Sequence, residues 1–166
     1  MALLKPRCFE FFRCRLATCR RVTYARPMLT DLQRLAIEDG LRDLTHPVTL
    51  LYYTPDVASA ATLLERALLE EIARRSDRVR LHVLADRWDS AREDLVGIAR
   101  TPAIVVKGER DHGIRYYGSP DGYELETFLA VVRAVSDERS GLAEGSRAMV
   151  ARLAAPLHLE ALVAPT

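Results

Sequence analysis

The chain has 166 residues, of which 49% are hydrophobic, and its 24 basic and 23 acidic side chains leave a net charge of +1. This length and apolar content suit one buried core, with room for the start of a second unit. The balanced charge argues against a nucleic-acid partner, and no stretch approaches the roughly 18 apolar residues that a membrane helix needs.

The basic charge is concentrated in residues 1–27, which contain seven Lys or Arg and one acid, so the rest of the chain carries a net charge of −5. All three cysteines, Cys8, Cys14 and Cys19, lie in this head, at spacings that fit neither a metal site nor a disulfide framework. The Arg-rich, acid-poor composition predicts an extension upstream of a true start at Met28, or a disordered or targeting segment. A metal-binding or thiol-reactive cysteine cluster is the third interpretation.

The first predicted elements are a helix and a buried strand. Thr30 predicts the N-cap of a helix whose apolar residues continue at near-helical spacing as far as Leu44 and which stops before Pro47. Residues 48–53 form a continuous apolar run, which is typical of a central strand that is buried on both faces.

A second helix, a second strand and a third helix follow. The sequence Thr54-Pro55-Asp56 predicts a helix start with the proline in the first turn. The charged residues of this helix, including Glu65, are predicted to form its solvated face. Residues 79–84 alternate as a strand does, and residues 88–99 predict a short helix. The apolar face of the second helix comprises Leu63, Leu64, Ala67, Leu68 and Ile72.

Residues 100–128 predict a strand, a tight turn, a second strand and a helix. The strands are residues 103–106 and 114–117, joined by a charged turn, and the helix that follows the break at 118–122 ends near Val135. Pro102 stands at the head of the first strand, where its missing N–H removes no ladder hydrogen bond. An X-Pro bond is also the only peptide bond for which the cis form costs little.

This order of elements predicts an α/β protein with a thioredoxin-like fold: a central mixed sheet flanked by helices, with a cis-proline before the C-terminal hairpin. In that fold the cis bond faces the active site. An ordinary trans proline at a strand entry is the alternative for Pro102.

The end of the chain predicts the beginning of a second unit. Residues 140–153 predict a further helix that Pro156 ends, and residues 158–163 predict a new strand. Since a strand needs a sheet to join, the last strand is expected to belong to a second unit. The chain is therefore expected to have three parts: a head at 1–27, a thioredoxin-like domain at 28–136, and a linker helix with the first strand of a second unit at 137–166.

Four segments carry a resemblance to a known group of proteins. The chain resembles the tandem thioredoxin-fold protein disulfide oxidoreductases, often called glutaredoxin-like, and the N-terminal region of the flavoprotein subunit of alkyl hydroperoxide reductase. The Gly-x-Arg-aromatic-x-Gly-x-Pro-x-Gly-aromatic-Glu pattern is the most specific of the four. The segments are Pro47-Val48-Thr49-Leu50, Ser76-Asp77-Arg78-Val79, Thr101-Pro102-Ala103-Ile104 and the run 113–125.

The resemblance implies two thioredoxin-like units, of which the second carries the working Cys-x-x-Cys pair. In this chain the corresponding place in the first unit holds Val57, Ala58, Ser59 and Ala60, so both sulfurs are missing. Ser59 has no histidine nearby in sequence to act as its general base, and we expect it to cap the helix. We therefore predict no catalytic residue in this chain. The Glu109, Asp111 and His112 side chains crowd one tight turn, so no metal site is predicted either.

The leading functional prediction is a redox-inactive half of a thiol–disulfide oxidoreductase in the cytoplasm, involved in cell redox homeostasis. It would position a Cys-x-x-Cys unit that passes electrons to protein disulfides or to a peroxidase or reductase partner. No cofactor is expected in this chain, and FAD is a candidate cofactor of a longer parent. The alternative is a stand-alone binding module in which Arg100, Thr101 and Pro102 hold an extended peptide or partner domain. An enzyme that uses the three head cysteines is the third class.

Overall fold

The computed structural model describes residues 29–55, 57, 59–86 and 97–162 of the chain. The predicted head at 1–27 and most of the helix predicted at 88–99 lie outside these residues. No helix within them is long and apolar enough to cross a membrane. The elements are α1 (Asp31–Gly40), β1 (Val48–Pro55), α2 (Ala60–Arg74), β2 (Val79–Asp86), β3 (Ala103–Lys107), β4 (Ile114–Tyr117), α3 (Glu124–Ser136) and α4 (Glu144–Val150).

The strands form one mixed sheet in the order β2-β1-β3-β4. β1 and β2 are parallel, and α2 makes the crossover that parallel neighbours require. β3 runs antiparallel to β1 and to β4, with Tyr53 opposite Ala103 and Ala103 opposite Tyr117. The predicted α/β architecture with a central mixed sheet is therefore confirmed.

The β3–β4 turn is fixed by the side chain of Asp111. Its carboxylate accepts the Gly113 N–H at 2.8 Å and two guanidinium N–H groups of Arg115 at 2.9 and 2.7 Å. These hydrogen bonds, above all those from Arg115, hold the pKa of Asp111 below its usual value. Gly113 has φ +78°, a conformation that glycine adopts most readily. The acid that sequence analysis considered as a metal ligand thus serves the turn.

The main core lies on one face of the sheet, under the three longer helices. Alternate residues of β1, Val48, Leu50 and Tyr52, point to this face and are fully buried. The helices contribute Ile37 from α1, Leu69 and Ile72 from α2, and Leu125, Phe128, Leu129 and Val132 from α3. Each such side chain stabilises the fold by about 1.5–3 kcal/mol relative to exposure. On the opposite face Ile98, Ala103 and Val105 form a smaller cluster.

The end of helix α1 is attached to a residue of α3 that lies more than 90 positions later in the sequence. Arg133 of α3 donates to the carbonyl oxygens of Asp39, Gly40 and Arg42 at 2.5, 3.3 and 3.2 Å, and so supplies partners to the end of α1. Gly40 lies directly against Leu129, since a Cβ at position 40 would stand only 2.9 Å from the Cβ of that leucine. This close approach explains why a glycine ends the helix.

Two helix boundaries differ from the prediction. Thr30 is the N-cap of α1 as predicted, but the helix ends at Gly40, and Leu44 is buried from the loop that follows. Pro55 does not open α2: it is the last residue of β1, and the helix starts five residues later. Pairing of Pro55 with Asp86 of β2 extends the strand through it. Proline is tolerated there because it is the terminal residue of the strand.

The predicted C-terminal strand is absent from the described residues. Residues 158–162 have no strand partner, and α4 is shorter than the predicted helix 140–153 and buries no residue. A strand is stable only when another strand satisfies its backbone groups, and none of the four described strands pairs with this segment.

Candidate functional site

The end of β1 and the loop before β3 lie at one end of the sheet, and the first turn of α2 follows the end of β1 in the chain. Tyr53 pairs with Ala103 across the antiparallel β1–β3 ladder. The residues before Ala103 therefore continue in the same direction as the last residues of β1. This arrangement brings the segment 100–102 to the end of β1, from which the chain leads into α2.

The predicted binding residues Arg100, Thr101 and Pro102 lie at the surface of this end. Arg100 is exposed, and its guanidinium carbon stands 4.8 Å from the centre of the Tyr117 ring, a cation–π distance. Thr101 and Pro102 are half-buried, and the bond between them is cis. The Ala99 N–H donates to the Tyr117 hydroxyl at 3.1 Å, which fixes the start of this loop on β4.

The first turn of α2 is closed by a pair of hydroxyl side chains. Ser59 is the N-cap, and its Oγ accepts the Thr62 N–H at 3.2 Å. Thr62 Oγ1 in turn accepts the Ser59 N–H at 2.9 Å, which completes a reciprocal capping box. The two hydroxyl oxygens lie 3.3 Å apart. The prediction that Ser59 caps the helix is confirmed.

The capping geometry shows which positions the helix end can influence. A thiolate that a helix stabilises stands at the N-cap, where it accepts backbone N–H groups. That position is Ser59, with Thr62 facing it. Val57 precedes the N-cap by two residues and is 84% exposed, and Ala58 lies outside the described residues. The Ser-x-x-Thr spacing is the sequence signal for this pair, which sequence analysis missed.

A buried acid lies one turn beyond the hydroxyl pair. Glu65 is 3% exposed, and its Oε2 lies 3.0 Å from the hydroxyl oxygen of Tyr52, which also lies 3.2 Å from the Thr62 carbonyl oxygen. The prediction of a solvated Glu65 is therefore wrong. Its spacing from Thr62, three residues before, and Leu69, four residues after, places it on the buried stripe of α2. That spacing was the signal available in the sequence.

Burial changes the acidity of both members of this pair. Desolvation raises the pKa of Glu65 from its ordinary value of 4.5 to about 7, although the hydrogen bond that Tyr52 can donate to the ionised carboxylate acts in the opposite direction. Burial and then the charge of Glu65 also raise the pKa of Tyr52. Neither group is a nucleophile for disulfide exchange, which requires a thiolate.

The histidines take no part in this arrangement. His46, His82, His112 and His158 are exposed. Nowhere in the described ranges do three or more His, Cys, Asp or Glu side chains form a group that could hold a metal ion. The chemistry available at the described end of the sheet is hydrogen bonding, cation–π contact and protonation of one buried carboxyl.

Comparison with known proteins identifies similar solved structures. No protein-family model and no curated protein sequence matches the chain. The N-terminal NTD_N/C domain of alkylhydroperoxide reductase AhpF from Enterococcus faecalis matches with a TM-score of 0.62 and 25% identity over 70% of this chain. A C503A mutant of the same reductase matches with a TM-score of 0.65 and 25% identity over 75% of this chain.

A third solved structure is an archaeal protein. A protein disulfide oxidoreductase from Aeropyrum pernix matches with a TM-score of 0.63 and 19% identity over 78% of this chain. The chain covers 57%, 61% and 58% of the lengths of the three matched chains. The chain is a thioredoxin-like protein, similar in structure to the N-terminal domain of the alkylhydroperoxide reductase AhpF.

Proposed function

We propose that the chain is the redox-inactive thioredoxin-like half of a thiol–disulfide oxidoreductase. The observation that carries this proposal is that the start of α2 holds the hydroxyl pair Ser59 and Thr62, 3.3 Å apart, in place of sulfurs, two residues beyond the positions 57 and 60 that sequence analysis assigned to the missing pair. The half positions a Cys-x-x-Cys unit, which passes electrons to protein disulfides or to a peroxidase partner. FAD belongs to a longer parent, and the protein works in the cytoplasm in redox homeostasis.

Exposed apolar side chains support a role in contacting another unit. Helix α4 and the segment after it bury nothing within the described residues, yet they carry several large apolar side chains. A run of this kind suits a surface that another polypeptide covers. The residues are Met149, Val150, Leu153, Leu157, Leu159 and Leu162, between 53% and 91% exposed.

The test compares the mass and the insulin-reducing activity of residues 1–166 with those of the protein that the gene produces in its own genomic context. Expression of the gene in its own genomic context is expected to yield a product heavier than 18.6 kDa that contains a Cys-x-x-Cys pair. That product is expected to accelerate the reduction of insulin by dithiothreitol, whereas residues 1–166 alone are expected to stay at the uncatalysed rate. An 18.6-kDa product, or catalysis by residues 1–166, would contradict the proposal.

A stand-alone binding module is the second candidate, favoured by the position of residues 100–102. Arg100 is exposed, and the segment continues a strand past the point where its pairing with β1 ends, which suits the addition of an extended peptide. Titration with an alkylated insulin B chain is expected to shift the amide signals of Arg100, Thr101 and Ala103 and to leave those of α4 unchanged. Amide signals of residues 100–103 that stay constant up to millimolar peptide would rule this function out.

A further inference from the structure

The carboxyl of Glu65 is the most unusual polar group in the described residues. It is 97% buried, and its Oε1 has no hydrogen-bond partner among the residues that the structure describes. An ionised carboxylate in an apolar core is costly unless several donors satisfy it, whereas the neutral acid loses much less by burial. The surroundings of Glu65 therefore suit a protonated side chain.

Counting protons around Tyr52 leads to the same conclusion. Its hydroxyl oxygen lies 3.0 Å from Glu65 Oε2 and 3.2 Å from the Thr62 carbonyl oxygen. A phenol has one proton to donate, and a carbonyl oxygen can only accept. Both contacts are hydrogen bonds at once only if Glu65 donates its own proton to Tyr52 and Tyr52 donates to Thr62.

Among the residues that the structure describes, no cation is found to act on Glu65. Tyr52 on β1 and Tyr116 on β4 face it, and both are acids whose charged forms would repel it. Glu124 at the start of α3 acts on Tyr116 and adds a further negative charge. Arg66, on the same helix, has its electrostatic effect on Tyr52, and its side chain is exposed.

We propose that Glu65, Tyr52 and Thr62 form a pH-sensitive lock on the first turn of α2, closed while Glu65 holds a proton and released when Glu65 ionises. When the proton leaves, the single Tyr52 proton turns to the carboxylate and the bond to the Thr62 carbonyl is lost. The bond from Tyr52 to the Thr62 carbonyl supports the first turn of α2, whose N-cap is Ser59. The lock is a property of the chain alone and holds whether or not a partner binds.

The pH range follows from linkage. Because the pKa of Glu65 is about 7 in the folded chain against 4.5 as its ordinary value, the folded state holds a proton between these values that the unfolded state has lost. The stability conferred by the closed lock is complete below about pH 4.5 and falls as pH rises towards about 7. In the middle of this range the unfolding equilibrium constant is expected to rise by up to about tenfold per pH unit.

The test is denaturant unfolding of the full chain and of a Glu65→Gln variant across this range. The ratio of the native chain's unfolding constant to that of the variant cancels every other titration, and it is expected to rise about 40-fold between pH 5 and pH 7. A Glu70→Gln variant is the matched control, because Glu70 lies on the same helix in an exposed ion pair with Arg66. Its ratio is expected to change by less than about threefold. A Glu65→Gln ratio that stays constant within twofold overturns the proposal.

A second measurement is made on the native chain and does not depend on the folding of a variant. Carbon-13 NMR of glutamate carboxyls in the native chain is expected to show one group titrating near pH 7, which disappears in Glu65→Gln if that variant folds. Hydrogen exchange at the Thr62 amide, corrected for its intrinsic pH dependence, is expected to accelerate at least about tenfold through the same midpoint. If every glutamate titrates below about pH 5.5, or if protection at Thr62 is independent of pH, the lock does not exist.

Discussion

A Ser59→Cys/Thr62→Cys double variant is expected to form an internal disulfide that dithiothreitol reduces, and to accelerate the reduction of insulin by dithiothreitol at least about tenfold over the native chain at pH 7. The two hydroxyl oxygens already lie 3.3 Å apart, so sulfurs at these positions need little backbone movement to reach bonding distance. Position 59 is the N-cap of α2, where the helix end stabilises a thiolate and lowers its pKa. Loss of the capping hydroxyls is expected to cost about 1 kcal/mol of stability.

The matched control moves the same two cysteines by two residues. A Val57→Cys/Ala60→Cys variant has its first thiol outside the helix, at a side chain that is 84% exposed, and is expected to remain near the uncatalysed rate. In every variant the three native cysteines, which lie in residues 1–27, are replaced by serine, so that only the introduced thiols react. Catalysis by the 57/60 pair and not by the 59/62 pair would show that the hydroxyls are not at the sulfur positions.

A Phe128→Ala variant is expected to lose about 3–5 kcal/mol of unfolding free energy, a large part of the 5–15 kcal/mol of a typical domain. Phe128 is fully buried in α3, and its ring meets the Tyr116 ring of β4 edge to face, with centroids 5.5 Å apart. Removal of the ring leaves a cavity between helix and sheet that the surrounding strands cannot close. Equilibrium unfolding in guanidinium chloride measures the loss.

The control for this substitution is an aromatic residue next to the same helix. Tyr123, the N-cap of α3, is 83% exposed and makes no side-chain capping bond, so Tyr123→Ala is expected to change stability by no more than about 0.5 kcal/mol. Similar losses in both variants would mean that α3 depends on local helix formation and not on the ring packed beneath it.

The parts of the fold that sequence patterns predict well are those fixed by local chemistry. The strands β1, β3 and β4 coincide with apolar runs between turn residues, and Thr30 caps α1 through the short-range contact with Gln33 that its sequence suggests. These elements can be predicted without information about residues that are distant in the sequence. The same holds for the hairpin turn, where Asp111 is followed two residues later by a glycine with positive φ.

The errors arise where a tertiary contact decides the outcome. Glu65 has the composition of a solvated helix face, yet its register buries it because Tyr52 supplies a polar partner inside the core. The helix α2 starts later than predicted because β2 pairs with β1 as far as Pro55, so a residue that usually marks a helix start belongs to the ladder. The strand predicted at 158–163 needs a neighbour that the described part of the chain does not provide.

The attachment of α1 to α3 has a consequence for synthesis on the ribosome. The loop after α1 is hydrogen-bonded to the end of α3, by Thr45 to Asp137 and by His46 to Ser136, across 92 and 90 residues of sequence. At about 5–20 residues per second, this loop is translated roughly 5–20 s before its partners. During that time β1, α2 and β2 can assemble, but the apolar surface that α3 covers in the complete fold remains exposed. Nascent chains stalled before codon 137 would therefore expose a half-covered sheet to chaperones, and translation speed through α3 would set how long that exposure lasts.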